Sequence, residues 1–253
     1  MPWNHREAAV DGWCSVEELT RRGFERARVV MANEAHNGMK RCTRTRDVGV
    51  RIVRAAHQAG VRRLAMEALP APGADPPGPI WTMPPATDGY LAQPDMRRLI
   101  LTALELGWSL WAYEIRIEGK PDPAQLLSKE FTNRREIEQA RNLCRVLDAA
   151  TGAPLLVWCG NGHATKEVIG DWAPMGWQFR DLSGADPFVI DQTLTVAFDE
   201  RPQPWVPELL ADLGETIAAH GGTAGILRDQ APPPLSDYVG VDGVIISTKN
   251  TLT

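Results

Sequence analysis

Two stretches decide the fold: Val29-Val-Met-Ala-Asn-Glu-Ala-His36 and Leu155-Leu-Val-Trp-Cys-Gly-Asn-Gly-His163, each an apolar, strand-like run that turns and ends in histidine. Between them, Arg63-Leu-Ala-Met-Glu67 ends a similar run in a carboxylate. Strands of a parallel sheet covered on both faces read as unbroken apolar runs, and ligands of open α/β sheets bind beyond the carboxyl ends of the strands. The fold class these runs imply is α/β, a largely parallel central sheet with helices on both faces. His36, Glu67 and His163 then fall where a single active site is expected.

Outward from these runs, strand-like and helical patterns alternate, as in an α/β layer fold. Residues 28–34 and 61–67 read as strands, and 47–59 as a helix with Val48, Ile52 and Ala55 on one stripe and Gly60 as its stop. Residues 95–106 read as a helix, 108–114 as a strand ending in Glu114, and 133–150 as a long helix closed by Gly152. Further on, 178–182, 189–198, 224–228 and 241–247 read as short strands. Residues 70–85 carry Pro70, Pro72, Pro76, Pro77, Pro79, Pro84 and Pro85. That density forbids helix interiors and central strands, so a stiff loop over the site is expected. With no repeat and no clean linker, 1–253 reads as one domain.

Composition narrows the function classes. The chain has 253 residues, 43% hydrophobic and 23% charged, with a net charge of −5, which suits a globular domain. Without a basic surplus, neither nucleic acid nor an anionic membrane is the expected partner, and a small molecule is. No apolar run approaches the roughly 20 residues that span a bilayer, and Met1-Pro-Trp-Asn-His-Arg-Glu7 lacks the pattern of a secretory signal. A soluble, cytoplasmic protein is expected. Cys14, Cys42, Cys144 and Cys159 show no CxxC spacing and read as free thiols.

The helix 133–150 has an informative projection. At about 100° per residue, Arg134, Glu138, Arg141, Arg145 and Asp148 share a solvent side. The opposite side carries Ala140, Leu143 and Leu147, but also Glu136 and Gln139, with Arg135 and Asn142 toward one edge. Polar groups on a core-facing stripe need partners or a wet cleft, since burying one unpaired costs about 1–3 kcal/mol. A cleft would make Glu136 a substrate contact. The plain alternative is that Glu136 caps the first helical turn.

In order along the chain, Asn33-Glu34-Ala35-His36, Met66-Glu67, Arg135-Glu-Ile-Glu-Gln-Ala140 and Gly160-Asn-Gly-His-Ala164 resemble the erythromycin esterase, ChaN and Tiki/TraB superfamily. The resemblance covers roughly 29–166. One departure is Asn33, where the family usually carries glycine. Asparagine tolerates a left-handed backbone best after glycine, so the turn is expected to persist. The resemblance implies an α/β fold with its site at the strand ends and a pair of histidines, with glutamates, doing the chemistry.

The chemistry of the residues is consistent with that. Histidine, with an ordinary pKa near 6.5, can take a proton from water at neutral pH, and a neighbouring carboxylate fixes its tautomer and raises its basicity. In an extended chain Glu34 and His36 share a face. His36 is the expected general base, with Glu34 or Glu67 orienting it or the water. His163 is expected to stabilise the oxyanion or protonate the leaving group, and Arg135 to hold developing negative charge. No Gly-x-Ser-x-Gly elbow supplies a nucleophilic serine. Tyr90, after the proline-rich loop, Glu114 at a strand end and Trp81 within the loop are candidate substrate contacts. His5, His57 and His220 read as structural or surface residues. The nine tryptophans suggest a bulky, partly apolar substrate, although most tryptophans in a chain of this size are core.

The resemblance leaves three readings open. One is a metal-independent esterase or lactonase in natural-product tailoring or resistance, whose base could also drive elimination or cyclisation. The second is a metal-dependent hydrolase like Tiki, in which His36, His163 and a glutamate hold zinc, manganese or cobalt. The third is a haem binder like ChaN, against which the absence of a signal and lipid anchor weighs. The first, needing no cofactor, is the expected one.

Overall fold

Val29–Glu34 (β1) and Leu155–Gly160 (β6) are strands, buried at all six positions each. The computed structural model describes residues 12–70, 77–117, 122, 124, 128–198 and 203–253. The other strands are His36–Asn37 (β2), Lys40–Arg41 (β3), Arg63–Met66 (β4), Ser109–Ala112 (β5), Phe188–Asp191 (β7), Thr223–Leu227 (β8) and Gly243–Ser247 (β9). Seven of them form one sheet in the order β5-β4-β6-β1-β7-β9-β8, and β2 pairs with β3 in a small hairpin. Every pairing in the large sheet is parallel except that of β8 with β9. The α/β class with a largely parallel sheet is therefore what the apolar runs foretold.

The helices are Val16–Arg26 (α1), Thr43–Gln58 (α2), Gly89–Ala92 (α3), Pro94–Glu105 (α4), Lys129–Asp148 (α5), Met175–Ser183 (α6), Val206–Asp212 (α7) and Gly214–Ala219 (α8). Alternate strand residues point to opposite faces. Val30, Ala32, Leu64, Leu156 and Trp158 pack with Leu19 of α1, Ile52 of α2 and Leu99 of α4. Val29, Met31, Ala65, Val157 and Cys159 pack with Leu143 of α5, Phe179 of α6 and Ile217 of α8. The chain leaves β1 for α2 on the first face and leaves the neighbouring β6 for α6 on the second. A crevice opens where connections from adjacent parallel strands diverge in this way, so the topology itself puts a site between the ends of β1 and β6.

Close packing of α2 on the sheet depends on Gly49, since a Cβ there would overlap Leu99 and Trp158. A helix-interior glycine costs about 0.5–1 kcal/mol relative to alanine. Here it allows the approach that brings Arg46, one turn earlier, over the end of β1.

Two expectations need correction. Residues 178–182 are part of α6, because Met175 and Phe179 lie one turn apart and bury the same face, and Gly184 ends the helix in a left-handed conformation at φ 66°. The strand expected over 189–198 stops at Asp191, whose carboxylate accepts the N–H groups of Thr193 at 2.7 Å and Leu194 at 3.0 Å. Such a local bond turns the backbone out of the ladder. Of the proline-rich segment 70–85, Pro70 lines the cavity at the strand ends. Ile80 pairs with Leu110 at the β5 edge through two hydrogen bonds of 2.8 Å, while residues 71–76 lie outside the described residues. Among the described residues no helix is long and apolar enough to cross a membrane.

Candidate active site

The carboxyl ends of β1, β4 and β6 open into a cavity of about 430 Å³ whose walls include Glu34, His36, Glu67, Tyr90, Glu114, Arg135 and His163, with Leu69, Met96 and Trp158 as apolar lining. A larger cavity of about 630 Å³, beside the start of α2 and the end of β9, is lined by neither histidine nor glutamate.

Glu34, the last residue of β1, turns toward α2. Arg46, with no exposed side-chain surface, grips it in a fork, Nε to Oε2 at 2.6 Å and Nη2 to Oε1 at 2.8 Å. The Trp158 indole donates to Oε2 at 3.1 Å. His36 Nδ1 lies 3.3 Å from Oε1, at ion-pair distance but outside hydrogen-bond alignment. Burial pushes the Glu34 carboxyl up, but His36 and Arg46 outweigh it and hold it below the ordinary carboxylate range. Behind this pair Arg46 also meets Gln93 and Asp95, and Asp95 in turn pairs with Arg41 at 2.8 Å. His36 itself packs against the Tyr90 ring, centroids 5.2 Å apart, and the Tyr90 hydroxyl donates to the Gly38 carbonyl at 2.7 Å.

Glu67, one residue beyond β4, turns to the opposite face. Its Oε2 accepts the Gly160 N–H at 2.7 Å and its Oε1 meets the Arg135 guanidinium. Burial works against its charge, yet His163, Arg135 and the Gly160 amide lower its pKa to about 2. His163, in the turn after β6, is gripped by Glu136, with Nδ1 at 2.6 Å from Oε1. Its Nε2 stands 3.8 Å from Glu67 Oε1, beyond hydrogen-bond reach, so a proton there is available to a ligand. Burial lowers the His163 pKa, but the two carboxylates prevail and raise it above 6.5. The two histidines thus sit differently: His163 lies between the carboxylates of Glu136 and Glu67, which favour its protonated form, and His36 leans on a carboxylate already paired with Arg46.

The structure brings His36, Glu34, Glu67, His163, Arg135, Tyr90 and Glu114 to one cavity and leaves Glu136 and Trp81 out of its lining. Arg135 spans Glu114, with Nε at 3.1 Å from Oε1, and Glu67. It thereby pins the two carboxylates side by side at the cavity wall. Glu114 also accepts from Gln139 at 3.2 Å and from the Ile115 N–H at 2.7 Å. Glu136 is fully buried and touches no open space. The helix begins at Lys129 with Ser128 as its cap, two turns too early for Glu136 to cap it. Glu136 instead serves another helix, its Oε2 accepting the N–H of Met175 at the start of α6 at 2.6 Å. Trp81 is 63% exposed and stands apart from the cavity lining.

Asn33 also differs from expectation. It lies in β1 without a positive φ, and its side chain is what matters, reaching Asp191 and accepting the Gln192 N–H at 2.9 Å. Arg46 was missed because the helix was expected from 47. Extended to Thr43, the stripe Arg46, Gly49, Val50, Val53 would have placed an arginine on the buried face. His57 is structural, its Nδ1 accepting the Trp108 indole N–H at 3.0 Å, while His5 lies outside the described residues.

Among the described residues no group of three or more His, Cys, Asp or Glu side chains converges as a metal-ion site. Cys159 lines the cavity, but burial pushes its thiol far above the ordinary range, so it is no ready nucleophile.

No protein-family model matches the chain, and no curated protein is similar to it in sequence. Its fold is similar to that of a mutant erythromycin esterase in its open conformation, at 12% identity and a TM-score of 0.56, over 92% of this chain and 94% of that one. A Bacillus cereus protein is similar at 10% identity and a TM-score of 0.54, over 100% of this chain and 99% of that one. At such identities the likeness is one of fold.

Proposed function

We propose that the chain is a hydrolase that opens an ester or lactone of a bulky, partly apolar small molecule with water activated by His36. The observation that carries the reading is the unequal pair of histidines, His163 bonded to the Glu136 carboxylate and His36 beside a carboxylate paired with Arg46, on adjacent strand ends facing one cavity. An esterase with this fold adds support at the level of fold.

His36 takes a proton from water as the oxygen attacks the carbonyl carbon. Glu34, 3.3 Å from Nδ1, steadies the imidazolium that forms, and Arg46 keeps Glu34 ionised. The oxyanion of the tetrahedral intermediate gathers at His163 Nε2–H, and the same proton passes to the departing alkoxide when the C–O bond breaks. Glu136 fixes the ring so that Nε2 points inward, and Glu67 with Arg135 keeps the pocket's charge in register. The apolar wall of Leu69, Met96 and Trp158 and a volume of about 430 Å³ suit a small-molecule ligand. In the metal-dependent alternative His36, His163 and a glutamate would be the ligands, and the response of the rate to a chelator separates the two readings.

The test is to incubate the purified protein with aryl esters, branched aliphatic esters and small and macrocyclic lactones, following gain of one water by mass spectrometry. Turnover of at least one neutral ester or lactone is expected. Turnover of none, with release of product from amides or from an elimination substrate instead, overturns the reading.

A further inference from the structure

The two histidine-bearing turns are joined by Asn161. Its Oδ1 accepts the His36 backbone N–H at 3.1 Å, and its Nδ2 donates to the His36 carbonyl at 3.0 Å. A side-chain amide offers acceptor and donor in one plane, so this reciprocal pair fixes both the place and the tilt of the His36 peptide. It does so where the sheet does not, because β2 is only two residues long. Asn161 makes the reach from a φ of 38°, the sole positive φ of a non-glycine residue among those described. Asparagine is among the few side chains that tolerate that region.

The strained turn is held from behind. The Asn161 carbonyl accepts from Asn33 Nδ2 at 2.6 Å, and Asn33 is anchored in turn by Asp191 and by the Gln192 N–H. Beside it, Gly160 leaves space that the His36 ring fills, since any Cβ at 160 would collide with that ring. A line of polar contacts therefore runs from the end of β7 through β1 to the turn after β6 and ends on His36.

We propose that Asn161 is the positioning residue of the site, setting the direction of the His36 imidazole relative to His163, two residues further along the same turn. Asn161 reaches only the backbone of His36, so its effect is exerted through His36. The kinetic part of this inference rests on the hydrolytic reading, whereas its structural part does not.

The test uses two variants of the full chain. Asn161→Gly keeps the left-handed backbone and removes both bonds to His36, and Asn161→Asp keeps the acceptor and loses the donor. The probe is the His36 imidazole, read by long-range ¹H–¹⁵N correlation in histidine-labelled protein and assigned with His36→Asn. His57, held by Trp108, is the internal reference. In Asn161→Gly the His36 signals are expected to move or broaden and its carbethoxylation rate to rise several-fold, with His57 unchanged. Asn161→Asp should lie between, and it carries the test if the glycine variant loses its fold. On a hydrolysed ester, kcat should fall about tenfold to a hundredfold, the usual cost of a misplaced reacting group, with KM within about twofold. Wild-type His36 signals and reactivity in the folded variants overturn the positioning role alone. A wild type that hydrolyses nothing overturns the hydrolytic reading alone.

Discussion

Replacing Glu136 with glutamine removes one negative charge 2.6 Å from His163 Nδ1 while keeping the shape of the side chain. The amide oxygen can still accept the Met175 N–H, as Glu136 Oε2 does at 2.6 Å. Its NH₂ group then faces Nδ1, which must accept a hydrogen bond, and an imidazolium cannot. A hydrogen bond to a charged group is worth about 1.5–3 kcal/mol, and about 1.4 kcal/mol corresponds to one pH unit of pKa. The His163 imidazolium is therefore expected to lose about 1.5–3 kcal/mol of stabilisation, and its pKa to fall from its raised position. The sign for stability follows from linkage. A group whose folded pKa exceeds its unfolded value contributes stability that is fully present below the unfolded pKa and is lost as pH rises through the folded one. The wild type should thus lose stability as pH climbs from 6.5 through the raised pKa of His163, and Glu136→Gln should lose much of that dependence. The assay is an NMR titration of the His163 ring in both proteins, paired with urea unfolding across the same pH range. Equal His163 titrations in the two proteins, within a few tenths of a pH unit, would refute the claim that Glu136 sets the charge of His163.

Glu67 supplies the opposite sign. Its carboxyl, at about 2 instead of 4.5, contributes on the order of 3 kcal/mol above pH 4.5 that is lost as pH falls toward 2, and urea unfolding of Glu67→Gln should show a flatter acid limb than the wild type. Gly160→Ala places a methyl against the His36 ring. Overpacking of this kind costs about 1–3 kcal/mol, and the rate on an ester should drop far more than the thermal midpoint implies, because the atom displaced is the base. Dialysis against a chelator is expected to leave that rate unchanged, with His36 acting as a free base. A loss restored by manganese, cobalt or zinc would make the histidines ligands.

Much of the site was legible because its chemistry sits at the ends of apolar runs. The runs into Glu34 and Gly160 admitted only buried parallel strands, so the turns after them had to face one crevice, and His36 and His163 came with them. Glu136 and Gln139 on a buried stripe pointed to a partner in the interior, although the partners are His163 and Glu114 and not a substrate. What stayed hidden depends on long-range pairing. Arg46 is invisible as a site residue until α2 is docked on the sheet by Gly49. Asn33 looked like a substitute for a backbone conformation, whereas its function is a side-chain link to Asp191 on β7, 158 residues away in the chain. The segment 178–182 has too few residues for periodicity to separate strand from helix; contact with α5 and the Glu136 carboxylate decide it.

The measurement that bears most directly on the account is the hydrolysis rate of the best ester or lactone by wild-type protein and by His36→Asn, with folding of the variant checked by its thermal midpoint. Loss of the general base should cost about 10²–10⁴-fold in kcat, with the fold intact and His163 still held by Glu136. A folded His36→Asn variant that hydrolyses the substrate at the wild-type rate would contradict the assignment of His36 as the base and, with it, the proposed chemistry of the site.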